Sequence, residues 1–103
     1  MPEPPAGDSD RAEFERERDR CVERLRGMPL TKLTHSAELA YAASCALAEL
    51  TPQARDHAQP RIADRAAGEQ LAVVANDLLA SASDPTALER GIGILTALRR
   101  SLP

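Results

Sequence analysis

Few side chains in this chain carry reactive chemistry, and their spacing limits what they can do. Cys21, His35, Cys45 and His57 are its only cysteines and histidines. A structural zinc site usually draws on close pairs, cysteines about two to four residues apart and histidines about three to five apart. Here every gap is far wider. Di-iron bundles use a Glu-x-x-His pair, and Glu38 follows His35 in the wrong order. The run "GIGILT" at Gly91–Thr96 lacks the third glycine and the preceding strand of a dinucleotide loop. Serine, histidine and aspartate all occur, but no spacing assembles them into a triad. Neither a metal nor a cofactor is expected, and no catalytic residue is assigned. Arg18 lies close to an apolar stripe, so it either snorkels or pairs with an acidic group on another helix.

His35 and Ser36 stand near the start of a helical segment, on its polar side. A histidine so placed in a small acidic helical chain resembles the histidine phosphotransfer domains. That resemblance implies a phosphoryl acceptor at His35. Those domains usually place a lysine and a glycine-containing turn of helix after the histidine. This chain has Ala37, Glu38 and Leu39 there, and Glu38 opposes a phosphoryl charge where a cation is wanted. An ordinary exposed histidine is the expectation. The stretch "LTHSAELAYAASCALAEL" also resembles the helix-turn-helix of repressors in its "LT..ELA" start, with Ala40, Ser44 and Leu50 in the recurring places. Its turn, however, would hold Ser44 in place of glycine. Its reading helix, "CALAEL", offers nothing to base edges and brings Glu49 towards phosphates. One continuous helix is expected, and no nucleic-acid partner.

The elements that would position these residues are helical. The chain has 103 residues, with 19 alanines, 13 leucines, three valines, three isoleucines and only Phe14 and Tyr41 as aromatics. Such a composition favours helix over strand. The formal net charge of −3 gives no basic footprint for nucleic acid. Arginine supplies 12 of the 13 basic residues, a compositional pointer to a GC-rich bacterial source. No long uncharged apolar run spans a membrane, and "MPEPPAGDSD" has no signal-peptide pattern. The two cysteines show no disulfide framework, so a cytoplasmic, reduced protein is expected.

Residues 1–9 read as a disordered tail and 10–103 as a single all-α domain, a small antiparallel up-down four-helix bundle. Four segments carry helical periodicity. The first, residues 10–28, places Phe14, Cys21, Leu25 and Met28 on one stripe flanked by Val22. Its acid–base pairs Glu13–Arg16, Glu15–Arg18, Glu17–Arg20 and Glu23–Arg26 are at helical spacing. The second, residues 31–50, is capped by Thr31 or Thr34. Its polar stripe is only His35, Glu38, Cys45 and Glu49, an apolar arc wide enough to ask for a partner chain. Thr51 and Pro52 then read as a cap and first-turn proline. A short turn near 52–58 or a kink at Pro60 follows. The third segment, residues 61–82, has a main stripe of Ala67, Leu71, Val74, Ala75 and Leu78, and a second of Ile62, Ala66, Val73 and Ala80. Asp84 and Pro85 start the fourth, which runs to about Ser101. Its buried face is Leu88, Ile92, Leu95, Leu98 and Leu102. Gly91 lies on that face, against the alanine-rich second helix, and Gly93 lies opposite.

These features point to a self-associating interaction or regulatory module without catalytic activity, a homodimer able to meet a further protein partner. The interface expected is Ala42, Ala43 and Ala46 with Ile62, Ala66 and Val73. The alternative is a small-ligand binder or enzyme with an inter-helix pocket anchored by Arg18 or His35.

Overall fold

In the computed structural model, which describes residues 6–81 and 84–103, the chain folds as four α-helices: α1 (Ala6–Arg26), α2 (Leu30–Glu49), α3 (Ala67–Ser81) and α4 (Pro85–Ser101), with a 3-10 turn at Asp64–Ala66 before α3. The all-α four-helix fold is as the composition requires. The expected tail lies, at 1–5, outside the described residues. Residues 6–9 belong instead to α1.

The helix ends differ from expectation in two places. Neither Thr31 nor Thr34 caps α2. The helix starts one residue earlier, with Pro29 as its extended N-cap and no side-chain cap. The Pro29 carbonyl accepts from the N–H groups of Lys32 and Leu33 at 2.9 and 3.1 Å. Thr51 does not cap a new helix either. Its buried hydroxyl donates back to the Leu47 carbonyl at 3.2 Å, closing α2. Beyond it, hydrogen bonds from Ala54, Arg55 and His57 form a tight turn, one of the two outcomes expected for this stretch. Pro60 excludes regular helix around it, and α3 proper begins only at Ala67. Asp84 does cap α4: its carboxylate accepts from the Thr86 N–H at 2.9 Å, with Pro85 in the first turn.

The helices joined by short connections run in opposite senses, α1 against α2 and α3 against α4. The segment 50–63 is different. It folds back along α2, where the Tyr41 hydroxyl donates to the Gln59 carbonyl at 2.6 Å. The Arg61 guanidinium covers the Tyr41 ring at 5.6 Å from its centroid. α3 therefore starts at the same end as α2 and runs parallel to it. Each helix packs mainly on two others: α1 on α4 and α3, and α2 on α3 and α4. The pairs Arg26–Glu69 and Arg18–Asn76 fix α1 and α3 as antiparallel. Cys21–Leu95 and Arg24–Pro103 set α1 and α4 parallel.

The core is built from the expected stripes. Phe14, Cys21 and Leu25 of α1, the main stripe of α3, and Leu88, Leu95, Leu98 and Leu102 are all buried. Ile92 is only half-buried. At Gly91 an added Cβ would stand 2.7 Å from Phe14 Cε2 and 2.9 Å from Leu78 Cδ2. The close approach there is thus to α1 and α3. It is not to α2, because α2 packs on the adjacent side of α4. At Gly93 a Cβ would meet nothing within 4 Å.

Candidate interaction surface

Of the polar side chains on the inner faces of the bundle, Glu17 pairs with Arg99, Cys21, Ser44 and Thr51 donate to backbone carbonyls, and the buried Ser36 hydroxyl has no hydrogen-bond partner among the described residues. Glu17 lies on the Phe14–Cys21 stripe and is buried. Its carboxylate accepts from Arg99 Nε at 2.6 Å and Arg99 Nη2 at 3.3 Å, across the α1–α4 seam. Hydrogen bonding to Arg99 holds the Glu17 carboxyl below its ordinary range. Burial opposes that shift, and the charges of Arg99 and Arg20 add to it. One turn further along α1, the Cys21 thiol donates to the Leu95 carbonyl at 3.3 Å. Burial, then the charge of Glu17, pushes this thiol up to about 11. Such a thiol is a poor nucleophile at neutral pH, because the thiolate is the reactive form.

Of the four acid–arginine pairs expected along α1, only Glu17–Arg20 comes within ion-pair range among the described residues, at 3.9 Å. The arginines reach across to other helices instead. Arg26 grips Glu69 of α3 through two contacts of 2.6 and 2.8 Å. That contact lowers the Glu69 carboxyl, first by hydrogen bonding. Arg18 donates to the Asn76 amide oxygen at 2.9 Å and to Asp19 at 3.0 Å. Its partner on the other helix is thus an amide rather than an acid.

His35 is exposed on α2 and borders a shallow groove with Ser36, Lys32 and the end of α4 at Ser101–Pro103. Arg18 belongs to the α1–α3 seam and does not line that groove, so the two anchors considered for a ligand pocket are not brought together. A second groove lies between α2 and the returning segment, lined by Tyr41, Cys45, Glu49 and His57 among others. The Tyr41 phenol there lies above its ordinary value, chiefly through hydrogen bonding with Cys45. Among the described residues, no cluster of histidine, cysteine, aspartate and glutamate can hold a metal ion. Nor, among the described residues, is any helix long and apolar enough to cross a membrane.

No protein family, curated protein or solved structure matches the chain.

The apolar arc of α2 is covered more fully by its own chain than expected. α3, the 3-10 turn and α4 all pack on it, and Ser36, Ala37, Ala40, Ser44 and Leu47 are buried. What stays open is the flank towards α4. There Leu39 and Ala43 of α2 meet Ile94, Ala97 and Leu98 of α4 in a shallow, mainly apolar depression. At about 100° per residue, Ala42 and Ala46 fall on the same flank as Leu39. Ala42 is exposed, Ala46 half-buried and Ala43 buried. The other three expected interface residues lie elsewhere. Ile62 and Ala66 are half-buried at the start of the α3 region. Val73 is 60% exposed on the outer side of α3, away from the side that carries Leu71, Ala75 and Leu78. The six therefore do not form one patch. The α2 members gain α4 as their neighbour. Ile94 was missed in the sequence because it lies beside the core face of α4 and not on it.

Proposed function

We propose that this chain is a helical interaction module that self-associates as a dimer through its α2–α4 face and acts by protein contact, without catalysis. The observation that carries the reading is the apolar depression where α2 meets α4, lined by Leu39, Ala43, Ile94, Ala97 and Leu98. An apolar surface rimmed by polar residues marks a contact site. The disposition of the reactive groups supports the non-catalytic part. Glu17 and Arg99 neutralise each other inside a seam, and Cys21 is buried. Two free cysteines and an acidic, Arg-rich composition support a cytoplasmic, bacterial setting. The test is light scattering after size exclusion. A mass near twice 11.1 kDa at micromolar concentration is expected. A monomer from micromolar to millimolar concentration overturns the reading.

A further inference from the structure

The Ser36 hydroxyl is the one buried side-chain oxygen or nitrogen without a hydrogen-bond partner among the described residues. Ser36 is only 1% exposed. A serine inside a helix can satisfy its hydroxyl on the carbonyl four residues back. Ser44 does so on Ala40 and Ser101 on Ala97, each at 2.9 Å. Ser36 makes no such bond. A buried hydroxyl left unpaired is costly, and it calls for a partner from outside the fold. Ser36 stands in the wall of the groove between the first turns of α2 and the end of α4, a space of about 650 Å³. Small-molecule sites commonly measure about 300–1,000 Å³.

The groups around Ser36 favour an anion. Lys32 is four residues before it, so the two stand one above the other on the same side of α2. Lys32 lines the groove, is exposed and forms no ion pair among the described residues. His35 is about 60° around the helix from Lys32. α2 has no side-chain cap, so the positive end of its dipole stays open beside Lys32. Two features oppose an anion, and both are turned aside. Glu38 also lines the groove, but it is about 160° around α2 from Ser36 and about 120° from Lys32, on the outer rim. The end of α4 carries the negative pole of its dipole, but the Pro103 carbonyl there accepts from Arg24 at 2.8 Å. The α4 wall is otherwise apolar, formed by Leu102 and Pro103 beside Ser101. A bare ion leaves that wall uncovered. An anionic head on an apolar body covers it.

We infer that this groove binds a small organic carboxylate, whose oxygens accept from the Ser36 hydroxyl and the Lys32 ammonium while its apolar part lies on Leu102 and Pro103. The site is at the end of the α2–α4 seam, meets the apolar depression only at Ser101, and does not depend on self-association. The experiment is an amide NMR titration of the full chain with acetate, benzoate and octanoate, and with inorganic phosphate as the head alone. Benzoate and octanoate are expected to shift the Lys32, His35, Ser36 and Leu102 signals saturably, and to bind more tightly than acetate or phosphate. Ser36→Ala and Lys32→Gln each weaken benzoate binding about tenfold, the loss of one charge-assisted hydrogen bond. Ser36→Ala removes no hydrogen bond from the free chain, so its Tm equals or exceeds that of the wild type. A fall in that Tm shows the hydroxyl paired within the fold and overturns the inference. So does the absence of a saturable shift in the groove with any of the three carboxylates, or unchanged benzoate affinity in either variant. Phosphate binding as tightly as benzoate overturns the assignment to an organic acid.

Discussion

Adding one methyl group at Gly91 or at Gly93 has opposite consequences, because the two positions face opposite environments two residues apart on one helix. At Gly91 the new Cβ falls 2.7 Å from Phe14 Cε2, 2.9 Å from Leu78 Cδ2 and 3.3 Å from Phe14 Cδ2. The Leu78 methyl can yield by a rotamer adjustment. The Phe14 ring cannot yield as cheaply, since it is rigid and fully buried. Overpacking of this kind costs about 1–3 kcal/mol. Helix propensity returns about 1 kcal/mol, so Gly91→Ala is destabilising by up to about 2 kcal/mol. At Gly93 there is nothing within 4 Å to meet. Only the gain remains, and Gly93→Ala stabilises by about 0.5–1 kcal/mol. Urea melts at a concentration low enough to keep the chain monomeric read both effects. For a domain of this size, about 1 kcal/mol moves Tm by about 4–8 °C, so thermal scans suffice as a second measure. A stabilising Gly91→Ala would show that the α1–α4 seam is looser than the contact with Phe14 requires. A destabilising Gly93→Ala would show that the outer side of α4 is covered in the monomer.

The remaining predictions concern the buried polar groups. Glu17→Gln destabilises at neutral pH, because Arg99 loses its charged partner. The folded-state carboxyl is lowered, so its contribution is present above the unfolded value of about 4.3 and is lost as pH falls through the folded value. The difference in Tm between Glu17→Gln and wild type therefore narrows below about pH 4, and a gap that stays constant to lower pH refutes the ionic account. Cys21, with its thiol raised to about 11, resists Ellman's reagent at pH 8 in the folded chain, while the half-buried Cys45 reacts. One thiol is titrated natively and two in urea, and rapid labelling of both without denaturant contradicts the packing of α1 on α4.

Much of the core was legible in the sequence because period alone defines it. Phe14, Cys21 and Leu25 fall on one stripe, as do Ala67, Leu71, Val74, Ala75 and Leu78, and all are buried. The cap at Asp84 was legible because its chemistry is local. The partners of the arginines were not. Spacing within α1 offered Glu17 to Arg20 and Glu23 to Arg26, yet Glu17 is taken by Arg99 of α4 and Arg26 by Glu69 of α3. A planar, forked guanidinium gains more from a well-aligned carboxylate across a seam than from a skewed one on its own helix. A signal for the Glu17 pair did exist: Glu17 is three residues after Phe14 and four before Cys21, so it lies on the buried stripe itself.

Helix neighbours were the least legible feature, and they decide where the contact face lies. Periodicity shows that α2 has more apolar surface than one neighbour covers, but not which helix stands on which flank. That follows from the returning segment 50–63, which Tyr41 fastens against α2 through Gln59 and Arg61. With α3 forced parallel to α2, the short connection to Asp84 sends α4 back antiparallel to both. α4 then closes the bundle between α1 and α2. Only in that order do Leu39 and Ala43 of α2 come level with Ile94, Ala97 and Leu98 of α4. Had the connection been too short to return, α3 would have run antiparallel to α2 and α4 parallel to it. Leu39 would then stand level with the first turns of α4 rather than with Leu98. The contact face is thus a consequence of a loop that carries none of its residues.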